Sequence, residues 1–376
     1  MTVTINGTSG VTFPDSSTQA VGFYGFKNRI INGGMNIDQR NSGAVTTPVT
    51  GAYTVDRFYY SASQASKFTV QQTPSATETG YATRVSAGFR NYLACTVSSA
   101  FSIGASDYFG IIQLIEGYNS ADLAWGTAGA KTVTLSFLVY SSLTGTFGGA
   151  IRNSDASRSY PFSYTISSAN TWTQISVIIP GDTSGTWLGA TNGVGISVIF
   201  SLGFGSTFSG TAGAWASANY GSVTGAVSVV GTASATFYIT GVQLEKGSTA
   251  TSFDYRPIGT ELMLCQRYFI KISNGGSGNA FANFANPTAY AASASGYRFQ
   301  IALPVQMRTY PSFSQTGTLA LLGADAGTAT SVGLADGGGN PVVGMTLSNT
   351  ATTLGLSNIL RGGNDTTAAL NYSAEL

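Results

Sequence analysis

The sequence predicts an all-β protein: a jelly-roll β-sandwich, then one short helix and a smaller C-terminal β domain. Three observations carry this. Apolar and polar residues alternate with period two in several segments, as half-buried antiparallel strands require. Helical periodicity is almost absent. The composition is rich in turn and strand residues, with 48 glycines, 21 phenylalanines and 19 tyrosines in 376 residues, and the length suits more than one core.

Residues 1–25 form a polar arm. Val3 and Ile5 alternate with threonines there, and Asn6-Gly7 is a hairpin turn signal. The arm is expected to pair as strands with other chains or with a larger assembly. The sandwich is expected over 26–257. From Thr132 to Tyr140, Val133, Leu135, Phe137 and Val139 share one face, with Thr132, Thr134 and Ser136 on the other. Ile175, Val177 and Ile179 repeat the pattern, as do Ile196, Val198, Phe200 and Leu202. Glycine- and Asn-Gly-rich turns separate these segments. Between Phe237 and Leu244 the apolar phase shifts at Thr240-Gly241, which predicts a β-bulge with glycine at the extra position. Arg256-Pro257 closes the sandwich. Residues 258–376 then give a helix over Gly259–Ser273, with Thr260 as N-cap and Glu261 in its first turn, and a small β domain whose clearest strand is Tyr297–Val305.

Charge and residue types exclude several functions. Only 9% of residues are charged and the net charge is +1, so phosphate-neutralising nucleic-acid binding is not expected. There is no histidine, which removes the commonest general base and metal ligand. Two cysteines, Cys95 and Cys265, lie among apolar neighbours and read as small buried hydrophobes. No basic and apolar leader opens the sequence, and no apolar run of 18 residues predicts membrane insertion. No two of the 16 carboxylates form a local catalytic motif. The chain is therefore expected not to be an enzyme and to need no cofactor. Asn153-Ser154-Asp155 and Gly181-Asp182-Thr183 offer oxygens to calcium, but no EF-hand pattern is present and no metal is expected.

Several longer motifs occur in order: NRIINGGMNIDQRNSG (28–43), YTVDRFYY (53–60), the stretch 111–153, NTWTQISVIIPGDTSGTW (170–187), and 235–269 with its ATFYITGVQLEKG opening. Together with TINGTSGVTFPDSSTQ near the start, they resemble tailed-bacteriophage tail-fibre proteins with a carbohydrate-binding-module-like jelly roll. Beyond residue 270 only LPVQMRTYPSF (303–313) is similar. The resemblance implies a homotrimeric virion structural protein in the tail, made in the bacterial host cytoplasm. It implies attachment to other tail or virion proteins through the N-terminal arm, and a part in contacting host-surface glycan. A capsid, collar or baseplate decoration protein and a polysaccharide depolymerase are the alternatives.

Candidate glycan contacts are aromatic, because ring faces stack on the apolar side of a pyranose. Among the four tryptophans, Trp125, Trp172, Trp187 and Trp215, the pair Trp187 and Trp215 lies at loop edges. Sugar binding, packing between subunits and ordinary rim packing are all open for these two. In the C-terminal domain Tyr290, Tyr297 and Tyr310 are candidates, beside the glycine-rich loops at 274–276, 337–340 and 361–364. Asp56, Arg57, Asp38, Arg40 and Glu116 read as structural anchors, with Asp56-Arg57 in a strand, their side chains on opposite faces.

Overall fold

The computed structural model describes residues 4–6, 10–12, 18–19, 27–72, 78, 80–273, 279–281, 283–284, 289–293, 296–323, 327–328, 331–334, 342–348 and 357–376. The chain divides into two compact units, residues 1–258 with Leu376, and 259–375.

Three short strands come first: β1 (Thr4–Asn6), β2 (Gly10–Thr12) and β3 (Thr18–Gln19). They pair with one another, antiparallel, in the order β1-β2-β3. The arm therefore satisfies strand pairing within its own chain; Gly7 of the expected turn lies outside the described residues.

The sandwich is built from β4 (Phe58–Ala62), β5 (Phe68–Gln72), the helix α1 (Tyr81–Ser86), β6 (Leu93–Val97), β7 (Tyr108–Glu116), β8 (Val133–Ser141), β9 (Gly145–Arg152), β10 (Ser159–Ile166), β11 (Thr173–Ile179), β12 (Val194–Phe204), the short pair β13 (Ser209–Gly210) and β14 (Ser222–Val223), and β15 (Thr236–Lys246). One sheet runs β10-β9-β12-β7-β4 and the other β11-β8-β15-β6-β5. Every pairing within these two sheets is antiparallel. This is a jelly-roll sandwich of two five-stranded layers. The alternating sets Val133, Leu135, Phe137, Val139 and Ile196, Val198, Phe200, Leu202 all lie in one core between the layers. The phase shift in β15 is a register irregularity between Thr240 and Gln243. Gly241 occupies it at φ +61, where a Cβ would stand 2.5 Å from the Phe89 ring. A left-handed conformation and a close neighbour both call for glycine there.

The segment 28–37 forms no strand; two backbone bonds tie it to β15, Arg29 N to Leu244 O and Val242 N to Gly33 O, both at 3.0 Å, and buried side chains hold the rest. Asn28 Nδ2 donates to the Val242 carbonyl at 3.0 Å, and its Oδ1 accepts from Ile30 N and Leu244 N. Gln113, pointing inward from β7, accepts from Ile31 N and donates to Ile31 O, both at 2.9 Å. Asn32 donates to the carbonyls of Ile37 and Asp56. All three side chains are buried, so each replaces hydrogen bonds that water would otherwise supply. The departing chain is fixed at the same place. Asp254 accepts from Asn28 N, Arg256 donates to the carbonyls of Ile30 and Asn28, and Lys27 donates to Ser252 O. The chain thus enters and leaves the sandwich side by side.

Asp56 and Arg57 lie in a turn and not in a strand, with Arg57 at φ +74 just before β4. Thr54 N donates to Phe58 O at 2.8 Å and closes this turn. Asp56 is paired with Arg40 at 3.5 Å and accepts from Gln39, while Arg57 donates to Leu114 O. Asp38 accepts from the amides of Asn41 and Gly43. Glu116 is buried at the end of β7. Cys95 and Cys265 are buried and form no disulfide.

The second unit opens with α2 (Ile258–Gln266). It contains β16 (Phe269–Ser273), β17 (Ala289–Ser293), β18 (Gly296–Ala302), β19 (Ser312–Thr316), β20 (Leu319–Gly323), β21 (Gly327–Thr328), β22 (Ser331–Leu334), β23 (Val342–Ser348), β24 (Ser357–Gly362) and β25 (Ala369–Ser373). One sheet is β16-β25-β19 and the other β21-β20-β24-β17-β18-β23-β22. The expected helix to Ser273 is too long. Residues 269–273 pair in full with β25, and Phe269 and Ile270 bury their side chains. The expected strand to Val305 stops at Ala302, just before Leu303-Pro304, where proline has no N–H for a ladder. The additional helix α1 has no sequence-level helical signal. Among the described residues no helix is long and apolar enough to cross a membrane.

The Asn28 contacts generate a prediction. Asn28→Ala leaves two buried N–H groups and one buried carbonyl without their side-chain partner. It should lower sandwich stability by about 3 kcal/mol, read as a drop in the urea midpoint of the full chain. An unchanged midpoint would show that this contact set contributes nothing.

Candidate functional site

The two outer faces of the sandwich differ. The outer face of the β10-β9-β12-β7-β4 sheet is closed by the chain itself. Residues 205–227 fold back over it, with Gly213 N donating to Pro161 O and Val227 N to Thr146 O. A Cβ at Gly148 would lie 2.5 Å from Ser222 Oγ, so this packing is close. Ala150, Ile199 and Ser201, on outward positions, are accordingly buried.

The outer face of the other sheet carries a cleft of about 400 Å³. Strand register builds its floor. Tyr140 of β8 is opposite Tyr238 of β15, Tyr238 is opposite Ala94 of β6, and Ala94 is opposite Gln71 of β5. These four cross the sheet as one outward row. The next row holds Thr236, Thr96 and Thr69. The Tyr140 and Tyr238 rings stack at 5.1 Å and 6°, and Tyr92 lies 5.0 Å from Tyr238. Trp172 closes the cluster, 5.5 Å from both Tyr92 and Tyr140. Tyr238, Thr69, Thr96 and Gln71 are half-buried and face a ligand-sized space, while Tyr92, Ala94, Tyr140 and Trp172 are buried in one cluster against which Tyr238 packs; a tyrosine ring beside hydroxyl and amide groups is a mixture that suits a sugar. Gln71 holds its own position by donating to Gly43 O at 2.9 Å.

A buried ion pair supports the cleft wall. Arg84 of α1 donates from Nε to Glu78 at 2.7 Å and from Nη1 to the carbonyls of Phe89 and Arg90. Its guanidinium lies 5.0 Å from the Tyr92 ring centre and 5.9 Å from that of Trp172. The cation thus fixes both rings from behind. Burial pushes the Tyr238 hydroxyl above its usual range, against the opposing effect of its Thr96 hydrogen bond, so it stays a neutral donor.

Trp187 and Trp215 are elsewhere. With Trp125 they form a triad of edge-to-face rings, 4.7, 5.4 and 5.5 Å apart. Trp125 Nε1 donates to Lys131 O, Trp215 Nε1 to Pro180 O, and Trp187 Nε1 to Asp182 and Ser184 O. Asp182 is in turn held by Arg158 through two hydrogen bonds of 2.7 and 2.8 Å. The adjoining cavity is about 40 Å³, about the size for a water molecule and not for a sugar ring. Within the chain the triad ties loop 180–189 to the core, with Trp187 and Trp215 partly buried against it.

In the second unit Tyr297 is not a glycan contact. It is 1% exposed, packs in the core and has its hydroxyl bonded by Asn358 Nδ2 at 2.9 Å. Its burial follows from the alternation Tyr297, Phe299, Ile301, which shares one inward face. Tyr310 is 44% exposed. Tyr290 lies on β17, its side chain outside the described residues, as are loops 274–276 and 337–340. Trp187 and Trp215 belong to the first unit and the three tyrosines to the second. Asp155 accepts from Ser157 and Asp182 is paired with Arg158, and among the described residues no cluster of three metal-ligating side chains occurs.

No protein-family model matches the sequence, and no curated protein matches it. Some solved structures are similar at low identity. The enzymatically active domain of bacteriophage CBA120 tailspike protein 4 aligns with 58% of this chain at 12% identity and a TM-score of 0.29. The chain spans only 21% of that tailspike structure. A CBM4 structure aligns with 57% of this chain and 98% of its own, at 12% identity and a TM-score of 0.29. The family 11 carbohydrate-binding module from Clostridium thermocellum, solved with a β-1,3-1,4-mixed-linked tetrasaccharide, aligns with 55% of this chain and 98% of its own, at 11% identity and a TM-score of 0.27.

Tyr92, Tyr140 and Tyr238, with Thr69, Gln71, Thr96, Glu78 and Arg84, were not marked by sequence reasoning. A signal existed for two of them: Tyr140 and Tyr238 occupy strand positions of the outward phase, on which Thr134, Ser136, Thr236 and Thr240 also lie.

The titrating groups predict a pH profile. Burial works to raise Asp122 and Asp182, but hydrogen bonds from Arg29 and Arg158 outweigh it and hold both below the usual carboxylate range. A lowered folded pKa gives stability that is complete above the unfolded value, about 3.9, and lost as pH falls below it. Burial pushes Tyr60, Tyr164 and Cys95 upward. Their contribution is complete below the unfolded values, about 8.5 for a thiol and 10 for a phenol, and is lost as pH rises beyond them. With no histidine to titrate between, the urea midpoint should be level from about pH 5 to 8 and decline on both sides. A step inside that window would contradict the assignment.

Proposed function

We propose that this chain is a non-catalytic, glycan-binding virion protein, a homotrimeric tail fibre or tail appendage whose sandwich contacts host-surface carbohydrate. The observation that carries the glycan reading is the Tyr140–Tyr238–Ala94–Gln71 row, flanked by Thr69 and Thr96, in an outward cleft of about 400 Å³. The tail location rests on the ordered motifs between residues 28 and 269. Low charge suits a surface covered by sister chains, and the N-terminal arm is assigned to attachment. A depolymerase would need a second carboxylate across the cleft; among the described lining residues Glu78 is the one acid.

The test is a titration of the full-length chain against surface polysaccharides extracted from a bacterial panel. At least one should bind, and Tyr238→Ala should weaken it about tenfold through lost stacking and one hydrogen bond. Trp187→Ala should leave that affinity within twofold. Binding lost in Trp187→Ala and kept in Tyr238→Ala would move the site to the tryptophan triad. Light scattering should give the mass of three 38.7 kDa chains; a monomer at micromolar concentration would refute the trimer.

A further inference from the structure

The charges around the cleft go further than its aromatic floor. Val45, Thr69, Gln71, Ala94 and Thr96 line it without charge, and Glu78 is the one ionisable carboxylate among the described lining residues. No lysine or arginine is among those lining residues. The nearby cation, Arg84, is fully buried and faces away from that role. Its donors are engaged by Glu78 and by the carbonyls of Phe89 and Arg90, and its guanidinium is packed between the Tyr92 and Trp172 rings. Turning it toward a bound anion would break a buried pair and release both rings.

We infer that the cleft is selective by charge: it accepts uncharged sugar units and rejects those carrying a carboxylate, sulfate or phosphate. The inference rests on the glycan reading of the same cleft. An anionic group entering there gives up its water, meets tyrosine rings and a buried Glu78–Arg84 pair whose charges already cancel, and gains no ion pair. A neutral sugar meets hydroxyl and amide groups that replace its water one for one. Acceptance is then governed by hydrogen bonding and ring contact, and is insensitive to salt.

The experiment uses the full-length chain and two matched probe sets. One is neutral gluco-, galacto- and manno-hexaoses. The other is the same hexaoses with their C6 hydroxymethyl groups oxidised to carboxylates. The best neutral probe should bind at least tenfold tighter than its oxidised form, with an affinity unchanged between 50 and 500 mM NaCl, a range in which ionic screening deepens from roughly 14 to 4 Å. Thr69→Lys places a cation on the cleft row without touching Arg84, and should reduce the discrimination at least fivefold. Gln71→Lys makes the same change one row away if the first variant does not fold. An oxidised probe that binds as tightly as its parent, or tighter and with a salt dependence, overturns the charge selectivity and leaves glycan binding standing. Failure of both sets to bind removes the glycan reading itself, and the inference with it.

Discussion

The sandwich depends on the buried carboxamide of Asn28. Its one oxygen and one nitrogen satisfy Ile30, Val242 and Leu244 together, so the incoming chain is fastened to β15 at the middle of a sheet. Gln113 fastens the next residues to β7 of the opposite sheet. Two neutral amides thus bridge the two layers through a segment that has no ladder of its own. Unpaired, the same backbone groups would be buried without water, at a cost of about 1–3 kcal/mol each. The outgoing chain closes on this point too, through Asp254 and Arg256. Glu245 and Gln243 of β15 hold that strap in turn, by accepting from Thr251 N and Asp254 N.

β15 connects this clamp to the cleft. Before its bulge, Phe237 and Ile239 point to the core and Tyr238 points outward. After it, Val242 and Leu244 point to the core, while Gln243 and Glu245 serve the strap. Without the extra residue at Gly241 one of these sets would face the wrong side, since a slip of one residue exchanges the faces of a strand. The bulge therefore lets one strand carry a ligand-facing tyrosine and a structural clamp. The glycine also admits the Phe89 ring, whose segment supplies the carbonyls that hold Arg84.

This division explains what could be read from the residues. Core strands were legible because alternation states which side chains are inward, and the bulge was legible because Val242 and Leu244 break the phase set by Phe237 and Ile239. The same alternation places Tyr297 with Phe299 and Ile301, so its burial was legible in principle. The cleft was not. It requires β8, β15 and β6 to lie side by side, an order far from sequence order, and a register that puts Tyr140, Tyr238 and Ala94 in one row. Its remaining parts, Glu78, Arg84, Tyr92 and Trp172, come from a short helix and loops without period. The helix boundary at Gln266 was set by pairing of residues 269–273 with β25, almost one hundred positions later, and a distant partner leaves no local signal.

Carbohydrate is proposed to bind the outer face of the β11-β8-β15-β6-β5 sheet. A crystal structure of the full-length chain with a bound oligosaccharide from a polysaccharide it recognises tests this most directly. Sugar density is expected within contact of Tyr238 and Thr96, with hydrogen bonds to Gln71 or Thr69. Density confined to the Trp125–Trp187–Trp215 edge, or to the second unit, with this cleft empty, would contradict it.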